Sequence, residues 1–251
     1  MLQTKPKLIG LVLSSCLVAI QTLVFANAPV KVPPRYVPGV VSIIDDHAYI
    51  RAHAAPVYWK ISPYYLSQPT DASCSLTTST MVINALRIPQ MKYADQKLAT
   101  TSSVVHSINN DSWANEVKQG GNGVTLDKLG GYLTKAMDAY QIPSVKLEVV
   151  HATQANDVAA KFHQALVEGE KTGKTFVIVN FNQQIISGTE NVGHFAPVGA
   201  YDSNTKRVLV MDPDRELFEP CWVAEQQLLD GMATKDSDAA KNRGFVVITL
   251  E

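Results

Sequence analysis

A cysteine, Cys74, stands where a polar loop gives way to an apolar helix in the stretch "QPTDASCSLTTSTMVINAL". Apolar residues follow it at helical spacing, namely Leu76, Ile83 and Leu86. Unpaired backbone N–H groups and the helix dipole stabilise an anion at the start of a helix, which is the setting that a thiolate nucleophile requires. A cysteine that only fills space in a core would fit the same position, so this pattern alone leaves both interpretations open.

Three more residues could serve a cysteine nucleophile. Gln68 lies six residues before Cys74 and offers a side-chain amide as a second donor to an oxyanion. His194 begins the run "HFAPVGAYD", and Asp212 ends "RVLVMD" eighteen residues later, so a hairpin would bring the carboxylate beside the imidazole. Taken singly, each fits an ordinary loop, strand or turn residue. In the order Gln, Cys, His, Asp they predict acyl transfer on a cysteine, with a histidine base that an aspartate orients.

Charge and motif content limit the class of ligand. The formal net charge of the 251 residues is -1, and the charges are dispersed, which argues against a nucleic-acid partner. No CxxC, HxxxH or clustered carboxylate pattern is present, so the sequence predicts no intrinsic metal site. We therefore expect a small or neutral substrate.

Apolar periodicity predicts the helices that would position these groups. The helix that follows Cys74 is expected to end near Pro89. A second helix is expected over 126–140, with Thr125 as its cap. A third is expected over about 154–168, with Gly169 as its stop.

The last third of the chain changes from helical to strand-like patterning. Its β-branched and aromatic runs are "TFVIVNF", "HFAPVGAYD", "RVLVMD" and "GFVVITL", with "DSNTK" as a tight turn. Helices first and an antiparallel sheet second indicate an α+β domain. We expect the cleft between the two layers, with the cysteine on the helical layer and the histidine and aspartate on the sheet.

The N-terminus has the pattern of an export signal. Lys5 and Lys7 precede an almost uncharged apolar run over 8–25, and small residues follow in "VFANA". Cleavage is expected after Ala26, with Ala28 as the alternative. Ala26 is preferred because Pro29 follows Ala28 directly, and signal peptidases tolerate a proline there poorly. The mature protein would then be exported, to the periplasm or the medium of a bacterium.

The expected organisation has three parts: a signal peptide over 1–26, an extended Pro-stiffened arm over 27–54 and a catalytic domain over 55–251. The end of "LSSC" at Cys16 leaves lipidation open, and an uncleaved membrane anchor is a further alternative. The membrane would be contacted only through this segment.

Seven separated blocks carry a resemblance to a known family. They are "SQPTDASCSLTTSTMVINAL", "GVTLDKLGGYL", "LEVVHA", "VNFNQ", "GHFAPVGAYD", "DPDRELFEPCWV" and "KNRGFVVITL". In order and spacing they resemble the catalytic domain of phytochelatin synthases, especially the short bacterial members, over about 55–251. The resemblance implies a papain-like cysteine peptidase fold and a reaction on glutathione.

The resemblance also implies a mechanism. Cys74 would attack the carbonyl between cysteine and glycine, release glycine and form a γ-glutamylcysteinyl thioester. His194 would activate the thiol and protonate the leaving amine, Asp212 would orient the imidazole, and Gln68 would help to bind the oxyanion. Transfer to a second glutathione makes phytochelatin, and transfer to water gives γ-glutamylcysteine. Cadmium or zinc would enter through the metal-bound thiolate of the substrate rather than as a resident cofactor.

Four further residues are candidates for substrate contact through the same resemblance. Arg243 and Asp236 fall where the family has an arginine and an aspartate near the γ-glutamyl site, and a bidentate guanidinium suits a carboxylate. A surface arginine ahead of a strand would fit Arg243 equally. Arg215 matches a family arginine and would line the acceptor side, and Asn180 in "VNFNQ" is a weaker candidate.

The chain departs from the family pattern at several positions. Ser73 and Ser75 flank the cysteine where the family has an aromatic residue and a glycine, which is expected to change the cleft wall. Asn182 and Gln183 replace a basic pair, so an acceptor contact would be missing, and Cys221 is expected to be structural. The Cys-rich C-terminal domain of the plant and yeast enzymes is absent from the sequence, which favours hydrolysis over polymer synthesis.

Two alternatives from other classes remain. A papain-like peptidase of the bacteriocin-leader type would share the layers and the order of the site residues. A non-enzymatic thiol-binding or metal-binding protein would keep its function without Cys74, or would link Cys74 to Cys221 in a disulfide. For the enzyme, the expected partners are glutathione, its S-conjugates and its metal thiolates, and the sequence leaves a homodimer open.

Overall fold

The computed structural model describes residues 34–109 and 111–251. The expected signal peptide, Cys16 and the first part of the arm, 27–33, lie outside the described residues. Within the described part of the chain, no helix combines the length and apolarity that crossing a membrane requires.

Helices make up much of the first half of the described chain and connect strands in the second. They are α1 Ala48–Ala52, α2 Pro56–Ile61, α3 Cys74–Leu86, α4 Thr101–Ser107, α5 Asp111–Val117, α6 Leu126–Ala139, α7 Asn156–Thr172, α8 Gln184–Ser187 and α9 Glu225–Met232. A short 3-10 helix follows α2 at Ser62–Tyr64. The strands are β1 Val41–Ser42, β2 Val145–His151, β3 Thr175–Asn182, β4 Gly193–Asp202, β5 Arg207–Val210, β6 Cys221–Ala224 and β7 Gly244–Leu250.

The described strands form one sheet in the order β1-β6-β5-β4-β3-β7-β2, and every neighbouring pair is antiparallel. The α+β class predicted from the sequence is confirmed. The predicted strands correspond to β3, β4, β5 and β7, and "DSNTK" forms the turn between β4 and β5. Periodicity missed β2, whose residues are only half-buried, and β6, which is four residues long.

Helix α3 lies in the main core, between the sheet and helices α4 to α6. All thirteen of its residues are buried, so the predicted one-sided pattern understates how deeply it is enclosed. Helix α6 packs against it and begins, as predicted, after Thr125, whose hydroxyl accepts from the backbone of Lys128. The start of α3 is therefore fixed by packing on several sides.

Helix α7 does not stop at Gly169, as the sequence suggested. It continues to Thr172, and Gly173 at φ 63° is its left-handed cap. A Cβ on Gly169 would lie 2.7 Å from the carbonyl oxygen of Thr175 at the start of β3. Gly169 thus serves the close approach of the helix to the sheet rather than the end of the helix.

The segment before α2 is attached to the sheet, and the expectation of an extended arm is wrong for Ala48–Ala52, which is helical. Val41 of β1 pairs with Trp222 of β6. The indole Nε1 of Trp222 donates to the carbonyl of Asp46 at 2.8 Å, and the Tyr49 ring meets the indole edge-on. Burial of Trp222 therefore folds this segment back into a helix.

The candidate site residues lie along one edge of the sheet, the edge that is formed by strand ends rather than by an outer strand. Because neighbouring strands are antiparallel, the ends of β3 and β5 and the starts of β4 and β7 all meet at this edge. The start of α3 faces it, since the Thr78 hydroxyl donates to the carbonyl of Phe195 at 3.1 Å. The two layers are thus tied together one turn from Cys74.

Candidate active site

Cys74 is the first residue of α3 and is 7% exposed. The residue before it, Ser73, directs its hydroxyl backwards: the Oγ accepts from the backbone of Thr70 at 2.9 Å and donates to the Thr70 carbonyl at 2.7 Å. This closes the loop tightly against the helix start. The free N–H groups of the first turn lie beside the thiol, where they favour an anion.

His194 stands between Cys74 and Asp212. Its Nε2 lies 2.7 Å from Oδ1 of Asp212, and both side chains are buried. The ring also has a hydrogen-bonding and charge interaction with Cys74, which falls to Nδ1 because Nε2 is occupied. Asp212 lies two residues beyond the end of β5 rather than at its last position. The structure therefore brings together the cysteine, histidine and aspartate that the sequence singled out.

The electrostatics of His194 favour its protonated form. Burial lowers the pKa of His194, but the charge of Asp212 and its hydrogen bond, together with Cys74, outweigh burial. The net effect raises the pKa well above its usual 6.5. An imidazolium between a carboxylate and a sulfur is the arrangement in which a thiolate is stabilised by a neighbouring cation.

Asp212 is fully enclosed and its oxygens are satisfied. Oδ1 also accepts from the backbone N–H of Asp214 at 2.8 Å, and Oδ2 accepts from Nε2 of Gln183 at 3.0 Å. Gln183 is itself buried. Gln183 was predicted only to leave an acceptor contact missing, and no pattern in the sequence indicated its contact with Asp212.

The backbone at His194 is held from the neighbouring strand. Asn180 of β3 donates from Nδ2 to the carbonyl of His194 at 3.2 Å, while Phe181 meets the imidazole edge-on at 5.8 Å. The Oδ1 of Asn180 is buried and has no hydrogen-bond partner within the described part of the chain. Asn180 also lines the cleft described next, so this unpaired oxygen belongs to a residue of the cleft wall.

A cleft of about 680 Å³ opens above this edge of the sheet. Cys74, His194, Gln68, Asn180, Asp236 and Arg243 all line it, so most of the predicted site residues share one space. Its other lining residues are Asp71, Ala72, Gln119–Val124, Glu190–Gly193, Phe195, Asp214, Leu217, Ser237 and Asp238.

Gln68 is fixed to the loop that follows β5. Its backbone N–H donates to the carbonyl of Pro213 at 2.8 Å. Its side-chain Oε1 has no hydrogen-bond partner among the described residues. Gln68 therefore lines the cleft together with Cys74, and its side-chain oxygen is not committed to another described protein group.

Arg243 lies at the entrance to β7 and is largely buried. One terminal nitrogen donates to the Thr234 hydroxyl at 3.0 Å and to the Lys235 carbonyl at 2.7 Å, while Nε has no partner among the described residues. The guanidinium passes over Gly193, where a Cβ would lie 3.1 Å from Nε. Asp236, in the loop just before β7, lines the same end of the cleft.

Two predicted wall residues point elsewhere. The guanidinium of Arg215 lies over the Tyr65 ring, 4.3 Å from its centroid, and Arg215 is not among the lining residues. Ser73 lines a separate cavity of about 430 Å³ on the other side of the loop, with Pro69 and Leu76. Replacing an aromatic residue by serine at this position therefore changes that cavity and not the cleft.

Cys221 lies apart from the site. It is fully buried in β6, and burial raises the pKa of its thiol well above the usual range. Cys74 and Cys221 are both free cysteines, so the disulfide alternative does not hold in this structure. Across residues 34–109 and 111–251, no three His, Cys, Asp or Glu side chains converge as metal ligands would.

Comparison with known families agrees with the resemblance seen in the sequence. The phytochelatin synthase model matches residues 47–245, a span that contains every site residue discussed above. The chain belongs to the phytochelatin synthase family. The match begins at His47, directly before α1 and before the residue at which the catalytic domain was expected to start.

Three curated members of the phytochelatin synthase family show how low the sequence identity to this chain is. Glutathione gamma-glutamylcysteinyltransferases 1 and 3 of Lotus japonicus are 24% and 27% identical to this chain over 76% of its length. The enzyme of the same name from Schizosaccharomyces pombe is 20% identical over 76% of the chain. The matched regions span 36%, 37% and 43% of these relatives, so the chain covers well under half of each.

Proposed function

We propose that this chain is a cysteine enzyme of papain-like fold that acts on glutathione and transfers its γ-glutamylcysteinyl group. The proposal rests on the arrangement of Cys74, His194 and Asp212 at the cleft. One buried imidazole, that of His194, contacts both a thiol and a carboxylate. The names of the relatives, glutathione gamma-glutamylcysteinyltransferases, support the same substrate.

In the first half-reaction, the Cys74 thiolate attacks the carbonyl carbon between cysteine and glycine. The oxyanion accepts hydrogen bonds from the Gln68 amide and from the backbone N–H of Cys74 at the helix start. As the C–N bond breaks, the His194 imidazolium gives its proton to the leaving amine of glycine. A γ-glutamylcysteinyl thioester on Cys74 remains, and Asp212 keeps the imidazole in place throughout.

The γ-glutamyl part of the substrate is assigned to the side of the cleft that holds Arg243. The free Nε of Arg243 suits the α-carboxylate, and the Asp236 carboxylate suits the α-ammonium group. The free Oδ1 of Asn180 offers a further acceptor between this end and Cys74. These assignments are supported by the unpartnered atoms and by the position of the three residues in one cleft.

In the second half-reaction, neutral His194 removes a proton from the attacking group. Water then yields γ-glutamylcysteine, and the amine of a second glutathione yields phytochelatin. We propose that hydrolysis predominates. Arg215 lies over Tyr65 and Gln183 donates to Asp212, so neither of them offers a contact to a second anionic glutathione.

No resident metal is required, because cadmium or zinc would enter as the metal thiolate of the substrate. S-conjugates of glutathione would lose their glycine by the same reaction. Export to the periplasm or beyond is proposed from the signal-like residues 1–26 alone. A homodimer would be compatible with a site built from one chain.

The test is incubation of the purified protein with glutathione, with and without cadmium, followed by mass spectrometry. Expected products are glycine and γ-glutamylcysteine in equal amounts, and Cys74→Ser, checked for folding by circular dichroism, should form neither. Abundant oligomers with little γ-glutamylcysteine would reverse the preference for water. Cleavage of a Gly-Gly leader peptide with glutathione untouched would favour the peptidase, and function that survives Cys74→Ser would favour the thiol-binding protein.

A further inference from the structure

The strand order gives the cleft two chemically different sides. His194 begins β4, which lies between β5 on one side and β3 on the other, with β7 beyond β3. Neighbouring strands lie roughly 5 Å apart. Arg243, at the start of β7, is therefore separated from Asp214, just after β5, by the strand that carries His194.

On the β3–β7 side, two buried polar atoms lack a hydrogen-bond partner among the described residues. Asn180 Oδ1 and Arg243 Nε have no hydrogen-bond partner within the described chain, although their residues are only 2% and 9% exposed. Burying such atoms unpaired is costly, so they favour binding of the most polar end of the substrate. Under the proposed function this end is the γ-glutamyl group, which leaves the β5 side for the residue that follows cysteine.

The β5 side presents the carboxylate of Asp214, whose charge His194 offsets only in part. Asp214 is half-buried and lines the cleft together with Leu217. Burial and then the charge of Asp212 raise the pKa of Asp214, while His194 and two backbone N–H groups partly oppose this. The adjacent cation, Arg215, is turned away onto Tyr65.

We propose that Asp214 is a specificity-determining residue that repels a free carboxylate on the leaving residue. The inference rests on the proposed function. The preferred donors are then glutathione amidated or esterified at its glycine carboxyl, or longer peptides, in which the residue after cysteine carries no C-terminal carboxylate, rather than glutathione itself.

The chemistry of the step is unchanged by this preference. Every such donor forms the same thioester on Cys74 and releases its amine with the proton from His194. Only the charge of the leaving group differs. Two carboxylates several ångströms apart in a partly solvated cleft repel each other enough to alter kcat/KM by roughly three- to tenfold.

The test compares glutathione with its glycine monoethyl ester as donors. We would measure kcat/KM for release of glycine or glycine ethyl ester by the unmodified protein, by Asp214→Asn and by the control Glu216→Gln. Glu216 is exposed and does not line the cleft, so this control removes a charge at nearly the same place in the chain. Comparing the ester-to-acid ratio between variants cancels the difference between the two leaving amines.

The ester-to-acid ratio is expected to fall roughly three- to tenfold in D214N and to stay unchanged in E216Q. An equal ratio in D214N and the unmodified protein would overturn the role of Asp214. If D214N does not fold, the ratio is measured in the unmodified protein at low and at molar salt, where screening should reduce it. A salt-independent ratio would overturn the inference, whereas failure of both donors to release an amine would overturn the proposed function itself.

Discussion

Gln183 donates from Nε2 to Oδ2 of Asp212 over 3.0 Å, on the carboxylate oxygen opposite the one that faces His194. Both residues are buried, so the bond is made in a region of low polarity where an unpaired carboxylate oxygen would be costly. The orientation of His194 therefore depends on a side chain that directly follows β3, the strand next to the one that carries His194.

Replacing Asp212 by asparagine should abolish most of the activity. An amide has no charge to stabilise the imidazolium, and its NH2 group would donate to Nε2 and so favour the wrong tautomer of His194. We expect kcat/KM for glycine release to fall about 100- to 10,000-fold while the protein stays folded. Asp46→Asn removes a surface partner of Arg207 instead and should change kcat/KM by less than about twofold. Activity in the Asp212 variant close to that of this control would contradict the role of Asp212.

The protonated state of His194 should be visible in the alkylation of Cys74. Burial lowers the pKa of His194, but Asp212 and Cys74 raise it to well above 6.5, so the imidazolium persists through neutral pH and is lost only as the pH rises further. At about pH 6, iodoacetamide should still label Cys74. In His194→Gln the cation is gone, and labelling at this pH should fall at least about tenfold.

Cys221 is the internal control for the alkylation experiment, because it is fully buried and its pKa is raised. Peptide mapping by mass spectrometry should find it unlabelled until the protein is unfolded. The difference in Cys74 labelling between the unmodified protein and His194→Gln should become smaller as the pH rises, since ordinary thiols then ionise without a neighbouring cation. Equal labelling of Cys74 in both proteins at about pH 6 would remove the thiolate–imidazolium pair from the mechanism.

The residues on strongly patterned segments were predictable. Cys74 at a helix start, and His194 and Asp212 on a hairpin, follow from local sequence. The contact of Gln183 with Asp212 and the place of Asp214 in the cleft were not predicted, because they depend on segments far apart in the chain that no local pattern relates. Arg215 shows the opposite error: the family resemblance placed it on the acceptor side of the cleft, but its guanidinium lies over the Tyr65 ring.

The fold likewise has parts that the sequence predicts and parts that it does not. Helices α3 and α6 and four strands follow from apolar periodicity and from the Thr125 cap. Gly169 was misread as a stop, because a glycine that allows close packing and one that ends a helix look alike in sequence. The helix at Ala48–Ala52 depends on Trp222, which lies far away along the chain.

Gly193→Ala should weaken substrate binding more than it slows the chemistry. The new Cβ would lie 3.1 Å from Nε of Arg243 and 3.2 Å from a terminal nitrogen, so the guanidinium must shift. We expect KM for glutathione to rise roughly threefold to tenfold with a smaller change in kcat, as when a positioning contact is lost. Gly131→Ala, where nothing lies within 4 Å of the new Cβ, is the control and should leave KM unchanged. A fall in kcat alone would place Arg243 outside substrate binding.

Gly169→Ala should destabilise the protein, whereas Gly131→Ala should not. At Gly169 the Cβ would meet the Thr175 carbonyl oxygen at 2.7 Å, and α7 would have to move from the sheet. The cost is expected to be about 1–3 kcal/mol. At Gly131, on the open side of α6, alanine should stabilise by roughly 0.5–1 kcal/mol through helix propensity. Urea unfolding followed by circular dichroism measures both, and equal midpoints would contradict the packing argument.

Gln183→Met tests Gln183 as a positioning residue. Methionine has a similar volume and is apolar, so Asp212 loses one donor and depends more strongly on His194. We expect kcat/KM to fall roughly threefold to thirtyfold, and the loss of the imidazolium, followed through Cys74 alkylation, to shift to higher pH. Gln183→Asn, which keeps an amide on a shorter stem, should recover part of the activity. If Gln183 only filled space, Gln183→Met would leave the pH profile of alkylation unchanged and Gln183→Asn would be the worse variant, because it creates a cavity.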